Sequence, residues 1–383
     1  MLCRVTITER QRSCFAAHPD RSPLLVVDLD VVRQRYEDLV AALPGVTVFY
    51  AVKANPLPEL VSMLVELGSS FDVASIGEIE QCLAVGAPPE RLSFGNTVKK
   101  ADAVRRAAEL GVTRYAFDSE CELEKLVAHA PGSLAFCRIL CDGFGAAWPL
   151  SRKFGCAPDV ARELLLEAAR HGLRPGVSFH VGSQQFDPAA WDRALATVAD
   201  LRAELLAEDV ELELVNLGGG LPGTYLEAIR PVDEYGSDIV AALRRRLGPD
   251  LPPEMLVEPG RYLVADAGAL RCEVVTVARK STTDEHRWVY LDVGMFSGLA
   301  EVMDEAIRYR VLTDGADRPT GPVVLAGPTC DSADILYETV DYQLPLDLRA
   351  GERLYLQSVG AYSTTYSTIG FNGFPPLDVE VLG

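Results

Sequence analysis

The sequence predicts an α/β fold: a closed β/α barrel followed by a mostly antiparallel β domain. Two observations carry this. Eight short apolar runs alternate with helical patterns between residues 47 and 258, and after residue 265 that rhythm gives way to β-like runs separated by turn residues. A doubly wound open sheet shares the alternation. The residues at the carboxyl ends of the runs are Lys53, Asp72, Asn96, Asp118, Asp142, His180, Gly218 and Glu258. They favour the barrel, because only a barrel brings all of them to one mouth.

In chain order, residues 1–23 are polar and mixed and read as a peripheral arm. A strand at 24–27 follows; it, or the arm, pairs into the second domain. Asp30 is placed to cap an amphipathic helix that reaches Leu43. The barrel runs lie at 47–51, 71–74, 91–94, 114–117, 134–140, 176–181, 213–217 and 255–258. Helices are expected at 57–67, 77–85, 99–110, 119–129, 158–171, 188–207 and 233–246, with Pro or Asp near several starts and Gly near several ends. Later strand-like runs occupy 271–279, 287–292, 322–326 and 352–359. The expected domains are a barrel over 29–267 and a β domain made of 1–28 and 268–383. The segment 294–308 reads as loop-to-helix and carries Glu301, Asp304 and Glu305, as a solvated face or as a pocket wall.

The length of 383 residues suits two domains, and 48% hydrophobic content suits a large core. A net charge of −19 argues against nucleic acid or an anionic membrane as partner. No apolar run is long enough for a membrane span and residues 1–23 contain no signal core, so a cytoplasmic protein is expected. Nine cysteines at irregular spacing give no disulfide framework. Cys137 and Cys141 form a lone C-x-x-x-C with no second pair, so no metal is expected.

The octet Val48 to Asn55 reads as a short buried strand that ends on a lysine, Lys53. That lysine either snorkels to water or is desolvated until its amine bonds an aldehyde cofactor. Gly218-Gly219-Gly220 and Gly260-Arg261 follow the seventh and eighth runs, where barrel loops cradle phosphates with bare backbone amides. The arginine adds a bidentate cation. Lysine, phosphate cradle, His180 and Glu258 together suggest pyridoxal phosphate, with Glu258 facing the pyridine nitrogen and His180 against the ring. Glu258 as a cap and His180 as a core histidine are the structural alternatives.

Seven motifs in order then resemble one family: Tyr50-Ala-Val-Lys-Ala-Asn55, Phe71-Asp-Val-Ala-Ser75 with Glu78, Phe179-His-Val-Gly-Ser-Gln184, Asn216-Leu-Gly-Gly-Gly220, Glu258-Pro-Gly-Arg-Tyr262, Gly327-Pro-Thr-Cys-Asp331 and Gly360-Ala-Tyr362. From about Pro23 to its end the chain resembles the fold-type III pyridoxal-phosphate decarboxylases, which act on ornithine, lysine, arginine or diaminopimelate. The resemblance implies a TIM-like, alanine-racemase-like barrel with a β domain, and a homodimer with active sites at its interface. By motif, Lys53 would anchor the cofactor and His180 would stack on it. Glu258 would meet its nitrogen, and Asp72 and Glu78 would order the site. Ser183, Gly219, Gly220, Gly260, Arg261 and Tyr362 would hold the phosphate. Cys330, as proton donor, and Asp331 would enter from the other subunit. Lys53, His180 and Cys330 are thus the expected catalytic residues.

Asp331, with Glu301, Asp304 and Glu305, would form an anionic pocket for the distal ammonium of L-ornithine or L-lysine, releasing CO2 and a diamine. The stretch Gly298 to Tyr309 lacks the Arg-Pro of diaminopimelate enzymes, and the tail Tyr366 to Pro376 resembles bacterial ornithine/lysine decarboxylases. Arg152 is displaced from the family position and is left out of the site. A decarboxylase of a modified or conjugated diamino acid and a non-catalytic cofactor-binding homologue are the competing readings.

Overall fold

Eight parallel strands close into a barrel: Thr47–Ala51, Ser70–Val73, Leu92–Phe94, Arg114–Phe117, Leu134–Arg138, Arg174–Ser178, Leu214–Asn216 and Glu254–Val257. The last strand pairs with the first through Leu256↔Thr47 and Val257↔Val48, so the sheet has no open edge and the doubly wound alternative falls. Phe49, Ala116, Leu134, Phe136, Leu214 and Leu256 pack together as a buried core cluster of these strands. Outside, Pro58–Glu66 shows why the helices form: Pro58 sits at the first turn, where its missing amide is harmless, and Leu60, Val61, Met63 and Leu64 share the buried face. Each such leucine contributes roughly 1.5–3 kcal/mol when fully buried.

The computed structural model describes residues 7–314 and 318–383. They form two compact units. Of the described residues, one unit comprises Arg33–Pro222 and Arg230–Tyr262; the other comprises those up to Val32, Gly223–Ile229 and those from Leu263 on. Gly223–Ile229 groups with the second unit, where the buried Asp266 carboxylate accepts from Thr224 N at 3.1 Å, Thr224 Oγ1 at 3.0 Å and Ser358 Oγ at 2.9 Å.

The second unit is a mostly antiparallel sheet. Gly268–Ala278 pairs antiparallel with Leu24–Asp28, Arg353–Gln357 and Arg287–Leu291; two further pairs, Leu24–Asp28 with Asp378–Leu382 and Arg287–Leu291 with Thr320–Ala326, are parallel. Strands at Val311–Thr313, Ile335–Pro345 and Asp378–Leu382 go beyond those expected from sequence.

Two local expectations are corrected and one is filled in. The arm, read only as polar and mixed, holds a helix, Glu9–Ala17, with a reciprocal Thr8–Gln11 capping box and Phe15 buried. Residues 1–6 of the arm lie outside the described residues. Asp30 does not cap the next helix, Leu29–Ala42. Asp28 Oδ1 accepts the Asp30 amide at 3.2 Å, because Asp28 still belongs to the strand and its carboxylate points back at the helix start. The 294–308 segment forms short 3-10 turns, Met295–Ser297 and Ala300–Glu305, interrupted by positive φ at Gly298 and Asp304.

Candidate active site

The first barrel strand ends at Ala51, and the chain tightens at once into a 3-10 turn, Val52–Ala54, that carries Lys53. Lys53 is therefore displayed from a turn above the rim and not from the strand itself. Its neighbours Val52 and Ala54 are buried, which fixes the turn and leaves the lysine side chain 49% exposed. Asp72, on the second strand and 3% exposed, reaches Lys53 Nζ with Oδ2 at 2.8 Å. Glu78 lies on the helix that follows; its Oε2 accepts the Ala74 amide at 2.7 Å while Ser75 Oγ accepts the Glu78 amide at 3.2 Å. Burial, with Asp72 nearby, raises the Glu78 carboxyl above its ordinary range.

His180 follows the sixth strand. The Gly182 amide donates to its Nδ1 at 3.0 Å, which places the ring proton on Nε2. Burial, reinforced by the cations of Arg138 and Lys53, lowers its pKa to about 3, so the imidazole is neutral in ordinary buffers. Glu258 follows the eighth strand and is no helix cap: Asn216 Nδ2 donates to its Oε1 at 2.5 Å. The Asn216 side chain is itself held, because its Oδ1 accepts the Gly218 amide at 2.8 Å. Burial and the carboxylate of Asp72 raise the Glu258 pKa to about 7.

The glycine loops close the cradle. At Gly219 a Cβ would lie 2.8 Å from the Glu258 carbonyl oxygen and 3.0 Å from His180 Nε2, so bare backbone is required between these two residues. Ser183 lies beside this loop, and Arg261 donates from Nη2 to its Oγ at 3.1 Å. Gly260 and Arg261 are both buried, in the turn whose preceding residue, Pro259, accepts the Ala51 amide at 3.0 Å.

One rim residue differs from expectation. Asp142 stands exposed in a turn, its Oδ1 accepting the Phe144 amide at 2.9 Å. The fifth strand stops at Arg138, four residues before Asp142, and Arg138 is the charged group it brings to the rim. Burial lowers the guanidinium pKa, against the pull of Glu258, Asp118 and Asp72. Its Cζ lies 5.2 Å from the centre of the Phe154 ring. Arg138 and Asn216 stand on this rim and were not named among the candidate site residues. The signal for Arg138 was an arginine closing an otherwise apolar run, Leu134-Ala-Phe-Cys-Arg138.

Several expected residues belong to the second unit. Cys330 and Asp331 are exposed on a turn that is well tied down. Asn372 Oδ1 accepts the Cys330 amide at 2.9 Å, Asp331 Oδ1 accepts the Ala333 amide at 2.9 Å, and Thr329 Oγ1 donates to Asp334 Oδ2 at 2.7 Å. Tyr362 has a left-handed backbone, φ +59°. Glu301 is buried and Asp304 exposed. Glu305 is corrected as a substrate residue. Its carboxylate accepts the amides of Glu338 and Thr339 at 2.7 Å each and of Val340 at 3.0 Å, and also the Thr339 hydroxyl, which leaves it no free lone pair toward a ligand. Arg152 is exposed. Among the described residues no group of His, Cys, Asp and Glu is arranged to hold a metal, and no helix is long and apolar enough to cross a membrane.

Pyridoxal phosphate fits this donor set. An amine, a half-buried carboxyl with raised proton affinity, a neutral imidazole and a backbone cradle beside an arginine and a serine are the groups its aldehyde, ring nitrogen, ring face and phosphate need. The comparisons agree. The family model described as pyridoxal-dependent decarboxylase, pyridoxal binding domain, matches residues 29–265. A lysine/ornithine decarboxylase of Selenomonas ruminantium is 34% identical over 354 residues, 92% of this chain and 88% of that protein. Antizyme inhibitor 2 of Xenopus laevis is 35% identical over 369 residues, 93% of this chain and 80% of that protein. The crystal structure of a Vibrio vulnificus lysine/ornithine decarboxylase complexed with putrescine superposes with a TM-score of 0.87 at 31% identity, covering 98% of this chain and 99% of that one. The chain belongs to the fold-type III pyridoxal-phosphate-dependent ornithine, lysine and arginine decarboxylases, a family of carboxy-lyases built from a TIM-type barrel and a β domain.

Proposed function

We propose that this protein removes the α-carboxylate of a basic L-amino acid, L-ornithine or L-lysine, and releases CO2 and the corresponding diamine. The observation that carries the reading is the pairing of Lys53 with buried Asp72 on the same rim as Glu258. When bound, pyridoxal phosphate supplies the sink for the electron pair left as CO2 departs.

The chain's own residues do the rest. Lys53 Nζ would hold the cofactor at its aldehyde, and Asp72 lies where it keeps a proton on Nζ. Glu258 has the proton affinity to share a proton with a pyridine nitrogen, and Asn216 aims it. Neutral His180 offers a flat face without a competing charge. Ser183, Gly219, Gly220, Gly260 and Arg261 would hold the phosphate.

The substrate end rests on a homodimer in which each subunit lends Cys330 and Asp331 to its partner's site. Exposure of both residues on a rigid turn supports this. Cys330 then delivers the proton that replaces CO2 at the α-carbon. Asp331, with Glu301 and Asp304, gives the pocket its anionic wall for the distal ammonium. A panel of L-ornithine, L-lysine, L-arginine, diaminopimelate and N-conjugated diamino acids, read by CO2 release, tests the proposal. Release confined to a conjugated substrate would displace ornithine and lysine.

A non-catalytic role is the competing reading, since one relative is an antizyme inhibitor. Retention of Lys53, Glu258, Arg261 and Cys330 together favours catalysis.

A further inference from the structure

Lys99 takes no part in the chemistry above, yet its side chain is 0% exposed. Its Nζ donates to the carbonyls of Asn96 at 2.9 Å and Ala116 at 2.6 Å, and pairs with Glu122 Oε2 at 3.0 Å. Two carbonyl acceptors and one ion pair thus hold the buried ammonium. Burial lowers its proton affinity and Glu122 opposes that shift. Such a charge is tolerated only where it is fully partnered, so its position asks for a reason.

The reason lies in the barrel seam beside it. Leu92–Phe94 and Arg114–Phe117 register at one pair, Phe94↔Tyr115, whereas the seams on either side register at three and four pairs. Where that ladder stops, Lys99 bridges the two chains, from Asn96 just past one strand to Ala116 within the other. The bridged turn then touches the site. Gly95 N donates to Val73 O at 3.0 Å and Asn96 Nδ2 to Ala74 O at 3.3 Å, which ties the turn to the strand of Asp72. A Cβ at Gly95 would fall 1.9 Å from Asp72 Oδ1, so the carboxylate rests directly on this glycine while its other oxygen meets Lys53.

We propose that Lys99 is a positioning residue: it anchors the Gly95–Lys99 turn to the fourth barrel strand, and the turn seats Asp72 against Lys53. The inference rests on Lys53 being the cofactor's anchor. Lys53 is faced electrostatically by Asp72, Glu78, His180 and Glu258, and Arg138 faces Asp72 and Glu258. Among these, Asp72 is the group the turn contacts.

The test is a pH titration of the near-visible absorbance of protein loaded with pyridoxal phosphate. In Lys99→Met the turn loosens, Asp72 draws back, and the midpoint falls by about 1 pH unit, the size expected when an opposite charge recedes from a titrating nitrogen. Glu122→Gln, a milder loss of the same anchor, moves it in the same direction by less, and it serves as the test where Lys99→Met does not fold. Lys125→Met removes the outer lysine that contacts Glu122 and the Lys99 carbonyl but neither seam carbonyl, and it titrates as wild type. A wild-type midpoint in the folded anchor variants, or an equal shift in Lys125→Met, overturns the inference. Persistence of the band in Lys53→Ala instead removes the anchor reading beneath it, so the two failures are distinguishable.

Discussion

Asp72 Oδ2 lies 2.8 Å from Lys53 Nζ, and the two partners differ in exposure: the carboxylate is at 3%, the lysine at 49%. The anion is packed into the barrel wall and the cation reaches toward solvent. That arrangement suits the anchoring role proposed for Lys53. Lys53→Ala should abolish the near-visible band of bound cofactor and lower turnover by at least about 10³-fold, since it removes the covalent anchor. Retained absorbance in the variant would take Lys53 out of this role.

Glu258 supplies a pH signature in the cofactor-free protein. Its folded pKa, about 7, stands above that of an unfolded glutamate, so the folded state holds more protons in between. Stability from this group is fully present below the unfolded value and is lost as pH rises toward 7. Glu258→Gln removes the titration. Relative to wild type it should gain up to about 3 kcal/mol between pH 4 and 8, measured by urea denaturation at each pH. A pH-independent difference would contradict the proton-retaining carboxyl.

With Cys330 as the proposed general acid, Cys330→Ala should slow product formation by roughly 10²- to 10³-fold and leave the affinity for pyridoxal phosphate unchanged. Wild-type rates would remove the proton-donor assignment.

Asp331 and Glu305 are expected to separate. Asp331→Asn should raise KM for L-ornithine and L-lysine by about 10-fold or more, the loss of a charged contact to an ammonium. Glu305→Gln should leave KM alone and lower stability by about 1–3 kcal/mol, because it loosens the backbone of Ile335–Pro345. A KM effect confined to Glu305→Gln would return that acid to the substrate pocket.

The barrel was legible because its punctuation is local. Each apolar run stops at a polar residue or glycine, and Pro58 and Pro158 mark helix starts. The helix Glu9–Ala17 was not, because it buries only Gln11 and Phe15 and so shows no apolar stripe; its capping box, Thr8 with Gln11, was the readable sign. The strand Ile335–Pro345 was hidden by exposed acids such as Glu338 and Asp341 on its solvent side. Within the site, Lys53, Asp72, His180 and Glu258 were named from sequence because their types announce chemistry. Arg138 was passed over because the fifth strand ends sooner than its apolar run suggests. Glu305 was misjudged because an acid bound to backbone amides and an acid waiting for an ammonium look the same in sequence.

The most direct measurement is 14CO2 release from carboxyl-labelled L-ornithine and L-lysine by the full chain loaded with pyridoxal phosphate, with the amine product identified by chromatography. Stoichiometric putrescine or cadaverine, lost in Lys53→Ala, is the expected result. No CO2 from any diamino acid, by a protein that binds the cofactor, would contradict decarboxylation as its activity.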